Sequence, residues 1–168
     1  MERPGAITFK GAPMTLVGQR EVKVGDPAPD FTVTTGELKD LTLADLKGQP
    51  VVISVVPSLD TGVCQIQTQK FNEQAREHGL RVVTVSCDLP FAQKRFCESF
   101  KANNITCVSD YKSRSFGEAF GVVIKELALL ARSVFVLDAE GKVVYREIVS
   151  EVTHEPDYGK ALEAVRGL

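Results

Sequence analysis

One uninterrupted run of apolar residues sets the strongest limit on how this chain folds. It reads Val-Val-Ile-Ser-Val-Val over residues 51–56 and ends at Pro57. β-Branched side chains favour strands, and a run without alternating polar residues is typical of a strand buried on both faces. Such strands belong to sheets that helices cover on both sides, so the run predicts a layered α/β domain.

The segments after this strand alternate between helix and strand patterns. A helix is predicted over residues 62–77, because Asp60 or Thr61 can cap its start and Gly79 closes it. The apolar positions that lie near helical spacing, and are predicted to pack on the sheet, are Val63, Ile66, Phe71 and Ala75. Further strands are predicted over residues 80–86, 105–108, 133–137 and 143–148, and further helices over 90–100, 115–120 and 156–165.

The residues before the central strand predict an amino-terminal β-hairpin at about 6–18, where alternating apolar residues flank a Gly/Pro turn. A strand at 31–34 and a short helix at 42–48 follow. This order predicts a thioredoxin-like α/β fold, in which helices flank a central mixed sheet and the hairpin is an addition. No linker, repeat or low-complexity tract interrupts the sequence, so we expect a single domain over residues 1–168.

Charge and hydropathy restrict the partners. The formal net charge is −2, which gives no broad attraction to nucleic acid or to an anionic membrane surface. No apolar run approaches the roughly 18 residues that span a membrane, and the first five residues lack the apolar segment of a secretory signal. The sequence therefore predicts a cytoplasmic protein that binds neither nucleic acid nor membranes.

Four cysteines, at positions 64, 87, 97 and 107, need an explanation in a compartment that keeps thiols reduced. They form no C-x-x-C pair, and neither histidine lies near one of them in sequence, so a structural zinc site is not expected. The sequence also lacks a Gly-rich phosphate loop, and we expect no metal, haem, flavin or nucleotide cofactor.

Cys64 stands at a position that favours an ionised thiol. It follows the buried strand and lies two residues after Gly62, which opens the predicted helix. The free N–H groups and the positive partial charge of a helix amino terminus both favour a thiolate. Position alone leaves a second interpretation open, since most free cysteines act as small buried hydrophobic residues.

Three further residues could serve such a thiolate, and each also has a purely structural interpretation. The Thr61 hydroxyl can donate to a thiolate or accept from a peroxide, but Thr61 can equally cap the helix. Pro57 can shield the sulfur from solvent, or simply end the strand. Arg132 opens an apolar strand, where a charge is costly without an anionic partner; otherwise it is a surface cation at the strand end.

Pro57, Thr61 and Cys64 match the P-x-x-x-T-x-x-C motif of the peroxiredoxins. The longer stretches PSLDTGVC at 57–64 and DLPFAQKRFC at 88–97 resemble the bacterial thiol peroxidase subfamily, whose members are atypical two-cysteine peroxiredoxins. The similarity extends through LARSV around Arg132 and EPDY near the end, and it covers essentially the whole chain. The pair of cysteine motifs is specific, whereas a lone T-x-x-C would be weak.

This resemblance implies a role for each residue. It makes Cys64 the peroxidatic cysteine, which reduces hydrogen peroxide or an organic hydroperoxide and becomes a sulfenic acid. It makes Cys97 the resolving cysteine, which closes an intramolecular disulfide with Cys64, and Thr61, Arg132 and Pro57 the other active-site residues. It also implies thioredoxin as the reductant, a function in antioxidant defence, and a homodimer.

Two cysteines exceed what this scheme needs. Cys87 and Cys107 are predicted to be buried packing residues, although they leave the partner of Cys64 open. Cys97 is preferred because it lies in a polar helical segment, where a thiol can be reached. Two other functions also stay open: a thioredoxin-type oxidoreductase, which the missing C-x-x-C disfavours, and a redox-sensing chaperone or binding protein without turnover.

Overall fold

The apolar run forms the central strand β5 (Val51–Val55), and all of its residues are buried. The computed structural model describes residues 1–168. The other strands are β1 (Glu2–Phe9), β2 (Ala12–Val17), β3 (Thr32–Thr35), β4 (Asp40–Thr42), β6 (Val82–Ser86), β7 (Thr106–Ser109), β8 (Val123–Ile124), β9 (Leu129–Leu130), β10 (Ser133–Leu137) and β11 (Val143–Ile148). The helices are α1 (Leu43–Leu46), α2 (Gly62–His78), α3 (Pro90–Ser99), α4 (Ser115–Phe120) and α5 (Tyr158–Arg166).

Seven strands form the main sheet in the order β11-β10-β5-β6-β7-β3-β4. The central strands β5, β6 and β7 run parallel, and the remaining pairs are antiparallel. The predicted mixed sheet is therefore confirmed. Because parallel strands end at the same edge, the loop after β5 and the loop after β6 lie side by side there.

Both faces of this sheet are covered. Helices α2 and α5 pack on one face, where Phe71, Ala75 and Ala161 meet side chains of β5, β6 and β10. The other face carries α4 and the amino-terminal hairpin, with Phe116 and Ile7 in the larger apolar core. Helix α3 packs mainly against β7. No helix combines the length and the apolarity needed to cross a membrane.

The predicted hairpin is confirmed, but β1 begins earlier than expected. The pairing of β1 with β2 shifts register between Arg3 and Ile7, where Gly5 has a φ of 67°. This bulge interrupts the alternation of apolar residues, which is why the sequence signal starts only at Ile7. The two-residue strands β8 and β9 extend the hairpin to a four-stranded sheet, and they are too short to show a period in the sequence.

The hairpin is also tied to the end of β11. The amide of Thr8 donates to the carbonyl of Ser150 at 2.7 Å, and the amide of Val152 donates to the carbonyl of Thr8 at 2.9 Å. The first strand of the chain therefore holds the segment around Val152 in place.

The extent of α2 is as predicted, but the face that it buries is not. Its buried residues are Cys64, Gln67, Thr68, Phe71 and Ala75, while Ile66 is 43% exposed and Val63 half-buried. The prediction for Ile66 was wrong, because a search for apolar spacing passes over the polar Gln67 and Thr68. Both are buried because their polar atoms have partners: Thr68 Oγ1, for example, donates to the carbonyl of Cys64 at 2.8 Å.

The last helix begins two residues later than predicted. Pro156 lies before α5, and the Asp157 carboxylate accepts a hydrogen bond from the amide of Lys160 at 3.0 Å. An aspartate at the N-cap position stabilises the start of a helix, so α5 begins after Asp157 and not at Pro156.

Candidate active site

Cys64 lies in the first turn of α2, directly behind the loop that follows β5, and its side chain is fully buried. Thr61 occupies the N-cap position, but its hydroxyl donates to the carbonyl of Ser58 at 3.2 Å instead of accepting from the helix. The first N–H groups of α2 therefore have no side-chain acceptor. They supply the positive partial charge expected at the start of a helix, next to the sulfur.

Arg132 is the partner of this sulfur. Its Nη2 donates to Cys64 Sγ at 3.3 Å, although the two residues are 68 apart in the chain. Its other bonds run from Nη1 to Gln67 Oε1 at 2.9 Å and from Nε to the carbonyl of Val152 at 2.8 Å. Arg132 is only 2% exposed, so the interpretation as a surface cation is wrong. Among the side chains that it hydrogen-bonds, Cys64 is the one that can carry a negative charge.

Gln67 fixes the orientation of the guanidinium, a role that was not predicted from the sequence. Its Nε2 donates to Ser54 Oγ of β5 at 2.9 Å, which leaves Oε1 pointing at Arg132. A signal for this role was present, since a residue three positions after Cys64 in a helix lies on the same face. The central strand thus determines the position of Arg132 through two hydrogen bonds in series.

A cavity of about 480 Å³ opens beside this group. Pro57, Thr61 and Arg132 all line it, which brings together the three residues predicted to accompany Cys64. Most of its remaining wall is apolar and comes from several segments of the chain, with Phe9, Val63, Leu127, Leu129 and Val152. The cavity therefore has a polar end at Arg132 and Thr61 and an apolar wall to which the amino-terminal hairpin contributes.

Cys97 lies in α3, as expected, and is half-buried. It packs against a small apolar cluster of Val56, Leu59 and Phe96 that also contains Cys64. Its sulfur, however, lies 3.1 Å from that of Cys107. The hydrogen bond between the two thiols lowers the pKa of Cys97, and the same bond, together with burial, raises the pKa of Cys107 well above its usual range.

The two additional cysteines differ from each other. Cys87 packs against the larger core, where burial, with a smaller contribution from Asp110, raises its pKa to about 11. Both were expected to be buried packing residues, and both are half-buried; Cys107 is in addition in direct contact with Cys97.

Asp88 joins the loop before α2 to the loop before α3, a role that was likewise not predicted from the sequence. Its carboxylate accepts hydrogen bonds from the Ser58 hydroxyl, the Leu59 amide and the Ser86 hydroxyl, each at 2.7 Å. Three donors on one half-buried carboxylate hold the two loops together. The segments that carry Cys64 and Cys97 therefore start from a common anchor.

Comparison with known proteins places these features in a family. A sequence model of the Redoxin family matches residues 23–162. The thiol peroxidase of Bacillus subtilis (strain 168) is 60% identical over 163 residues, which cover 96% of this chain and 97% of the relative. That of Staphylococcus aureus (strain MRSA252) is 56% identical over 163 residues, with 96% and 98% covered. The crystal structure of a peroxiredoxin-like protein from Aquifex aeolicus superposes with a TM-score of 0.89 at 47% identity, covering 97% of this chain and 96% of that one.

Proposed function

The chain belongs to the Redoxin family and, within it, to the thiol peroxidases, and from this premise we propose that Cys64 is its peroxidatic cysteine. The observation that carries the proposal is the hydrogen bond of 3.3 Å from Arg132 Nη2 to Cys64 Sγ in a buried site. A buried guanidinium is costly unless an anion accompanies it, and a Cys64 thiolate supplies that anion.

In the first step, the Cys64 thiolate attacks the terminal oxygen of a hydroperoxide. An S–O bond forms and the O–O bond breaks, so that Cys64 becomes a sulfenic acid and the other oxygen leaves, after protonation, as water or an alcohol. Arg132, the Thr61 hydroxyl and the first N–H groups of α2 stabilise the charge that moves onto the departing oxygen. Pro57 forms the part of the wall that shields the sulfur from bulk water.

The cavity supports two classes of substrate, hydrogen peroxide and organic hydroperoxides. The peroxide group fits its polar end, where Arg132 and Thr61 lie. The apolar wall formed by Phe9, Leu127 and Leu129 can accommodate an alkyl or aryl group. Hydrogen peroxide needs only the polar end.

In the second step, Cys97 attacks the sulfenic acid. An S–S bond forms between Cys97 and Cys64, and the sulfenic oxygen leaves as water. The lowered pKa of the Cys97 thiol supports this role, because the thiolate is the attacking species. The reaction requires movement, since the Cys64 sulfur is hydrogen-bonded to Arg132 and the Cys97 sulfur is hydrogen-bonded to Cys107. Helix α3 is the mobile part, because most of its residues are exposed or half-buried.

Thioredoxin then restores both thiols by dithiol exchange, without a cofactor. Recycling of this kind needs a compartment in which dithiols are kept reduced, so we place the protein in the cytoplasm.

We also propose that two copies associate near this site as a homodimer. Leu89 and Phe91, at the start of α3, are 53% and 67% exposed. Large apolar side chains with this exposure, next to the peroxide-reducing loops, suit a contact between identical chains. Phe91→Glu should lower the molar mass in sedimentation from that of a dimer to that of a monomer.

Consumption of peroxide in the presence of thioredoxin, its reductase and NADPH tests the function. The wild-type protein should turn over many times, whereas Cys64→Ser should not, because a serine hydroxyl is neither ionised nor oxidised under these conditions. A redox-sensing chaperone would consume one equivalent of peroxide per chain and then stop. Substantial turnover by Cys64→Ser would transfer the role to another cysteine.

A further inference from the structure

The contact between Cys97 and Cys107 has no role in the cycle described so far. Their sulfurs are 3.1 Å apart, which is too long for a disulfide of about 2.05 Å but requires only a small displacement to close one. The residues lie on elements that pack directly against each other, α3 and β7. Helix α3 is held on this strand by Gln93, whose Nε2 donates to the carbonyl of Val108 at 2.8 Å and to Ser86 Oγ at 3.0 Å.

We propose that Cys107 is a third redox-active cysteine, which takes over the disulfide from Cys64 by attacking Cys97. The inference rests on the proposed function, because it begins from the disulfide between Cys64 and Cys97. It assigns to Cys107 a catalytic step that two-cysteine chemistry does not contain.

The step balances without any external reagent. The Cys107 thiolate attacks Cys97 Sγ, the bond between Cys97 and Cys107 forms, and the bond between Cys64 and Cys97 breaks. Cys107 gives its proton to solvent beforehand, and Cys64 leaves as a thiolate beside Arg132. The chain remains oxidised by two electrons throughout, and only the position of the disulfide changes.

The structure favours this direction of transfer. To reach Cys64, Cys97 must leave Cys107 and draw part of α3 away from β7. A disulfide between Cys97 and Cys107 forms with α3 in its place, so the transfer lets Gln93 and Phe96 return to their contacts. The leaving thiolate of Cys64 regains the hydrogen bond from Arg132, which makes it a good leaving group.

The thiol pair also sets the order of the two steps. In the reduced protein, the hydrogen bond to Cys97 is the largest cause of the raised pKa of Cys107, so Cys97 ionises first and attacks first. Once the Cys97 sulfur is part of a disulfide, it can no longer ionise, and its hydrogen bond no longer raises the pKa of Cys107 in this way. Cys107 then ionises more easily, at the stage where its attack is needed.

The new disulfide is also easier to reach than the first. Cys97 and Cys107 both line a surface cavity of about 350 Å³, together with Glu37, Lys94 and Thr106. Cys64, in contrast, is fully buried. An external dithiol can therefore attack the transferred disulfide at the surface, while Cys64 stays in its closed site.

Peptide mapping of the whole protein tests the transfer. The reduced protein is mixed with one equivalent of cumene hydroperoxide, quenched with acid and alkylated at increasing times, and digested with trypsin without reduction. Lys101 lies between Cys97 and Cys107, so their peptides separate unless a disulfide links them. The disulfide between Cys64 and Cys97 should form first. The one between Cys97 and Cys107 should follow and reach about a tenfold excess, which corresponds to about 30 mV for a two-electron couple.

Three variants make the result decisive. Cys107→Ser should stop at the disulfide between Cys64 and Cys97, and the matched control Cys87→Ser should behave as wild type. If the wild type also stops there, with Cys107 alkylated, the transfer is refuted while the proposed function stands. If Cys64→Ser links Cys97 to Cys107 as fast as wild type, peroxide oxidises the pair directly and the transfer is again refuted. Failure of Cys107→Ser to form a disulfide between Cys64 and Cys97 would instead refute the resolving role of Cys97, from which the transfer begins, and leave the peroxidatic role of Cys64 standing.

Discussion

Replacing Arg132 by methionine tests the central contact of the site. Methionine has a similar length and no charge, so it fills the space but removes the donor that lies 3.3 Å from Cys64 Sγ. Two unit charges at that distance interact by about 5 kcal/mol at an effective dielectric constant of about 20. The N–H groups of α2, together with water that enters the cavity, replace part of this energy. We therefore expect the rate of the first oxidation to fall by roughly 10- to 1000-fold.

The same change has a cost in stability, which must be separated from the chemistry. Without Arg132, Gln67 Oε1 and the Val152 carbonyl lose their donors, and each unpaired buried acceptor costs about 1–3 kcal/mol. Urea unfolding should therefore show a lower free energy of unfolding, and the rate must be measured where the variant is folded. Arg132→Lys keeps the charge but cannot supply three hydrogen bonds in these directions, so its oxidation rate should lie between those of the wild type and Arg132→Met.

Stopped-flow oxidation of Cys64 by one equivalent of hydroperoxide gives this rate without the influence of thioredoxin. The matched control is Arg146→Met, which removes an arginine that is only partly buried and is paired with Glu21 at 2.9 Å. That variant should react at the wild-type rate. If folded Arg132→Met reacts within about threefold of wild type, the start of α2 alone activates the thiolate and the argument from Arg132 is wrong.

Other measurements test the remaining residues. Thr61→Val should slow the first oxidation by about 10- to 100-fold through loss of one hydroxyl, and Thr61→Ser should not. Cys97→Ser should leave that step intact, so that a sulfenic-acid probe labels Cys64 and excess peroxide drives it to the sulfinic acid; absence of labelling would contradict the resolving role. Burial raises the pKa of Asp110 to about 6 from its ordinary 3.8. The protonated carboxyl therefore contributes most to the free energy of unfolding below pH 4, and up to about 3 kcal/mol of that free energy is lost as the pH rises through 6. Urea unfolding of wild type and Asp110→Asn should therefore differ in pH dependence between 4 and 7, and parallel profiles would exclude this effect.

The sequence predicted best where one kind of signal covers several consecutive residues. The β-branched run of β5, the strands at 133–137 and 143–148, and the Gly79 stop of α2, with its φ of 65°, are local features and were confirmed. Cys64, Thr61 and Pro57 share one short segment, and their proximity follows from the strand–loop–helix order. Arg132 was found through the cost of a charge in an apolar strand, together with the family resemblance.

What the sequence did not predict depends on distant contacts between polar groups. Gln67 has a partner in β5 and another at Arg132; its spacing from Cys64 within α2 places it on the same face but identifies neither of these distant partners. The contact of Cys97 with Cys107 depends on how α3 rests on β7, which no periodicity specifies. Asp88 likewise acquires its role only when the parallel arrangement of β5 and β6 brings two loops together.

The hydrogen bond from Arg132 to the Val152 carbonyl has a consequence for biosynthesis, because the two residues are made late in the chain. On the ribosome, Cys64 emerges well before Arg132, which lies 68 residues later, and before Val152, which lies a further 20 residues on. At ordinary elongation rates this interval lasts roughly 4–18 s. During that time the nascent sulfur has neither its cation nor the closed cavity, so peroxide finds an ordinary thiol. The chain therefore gains its reactivity only after most of it has been synthesised, which protects the unfinished protein from oxidation.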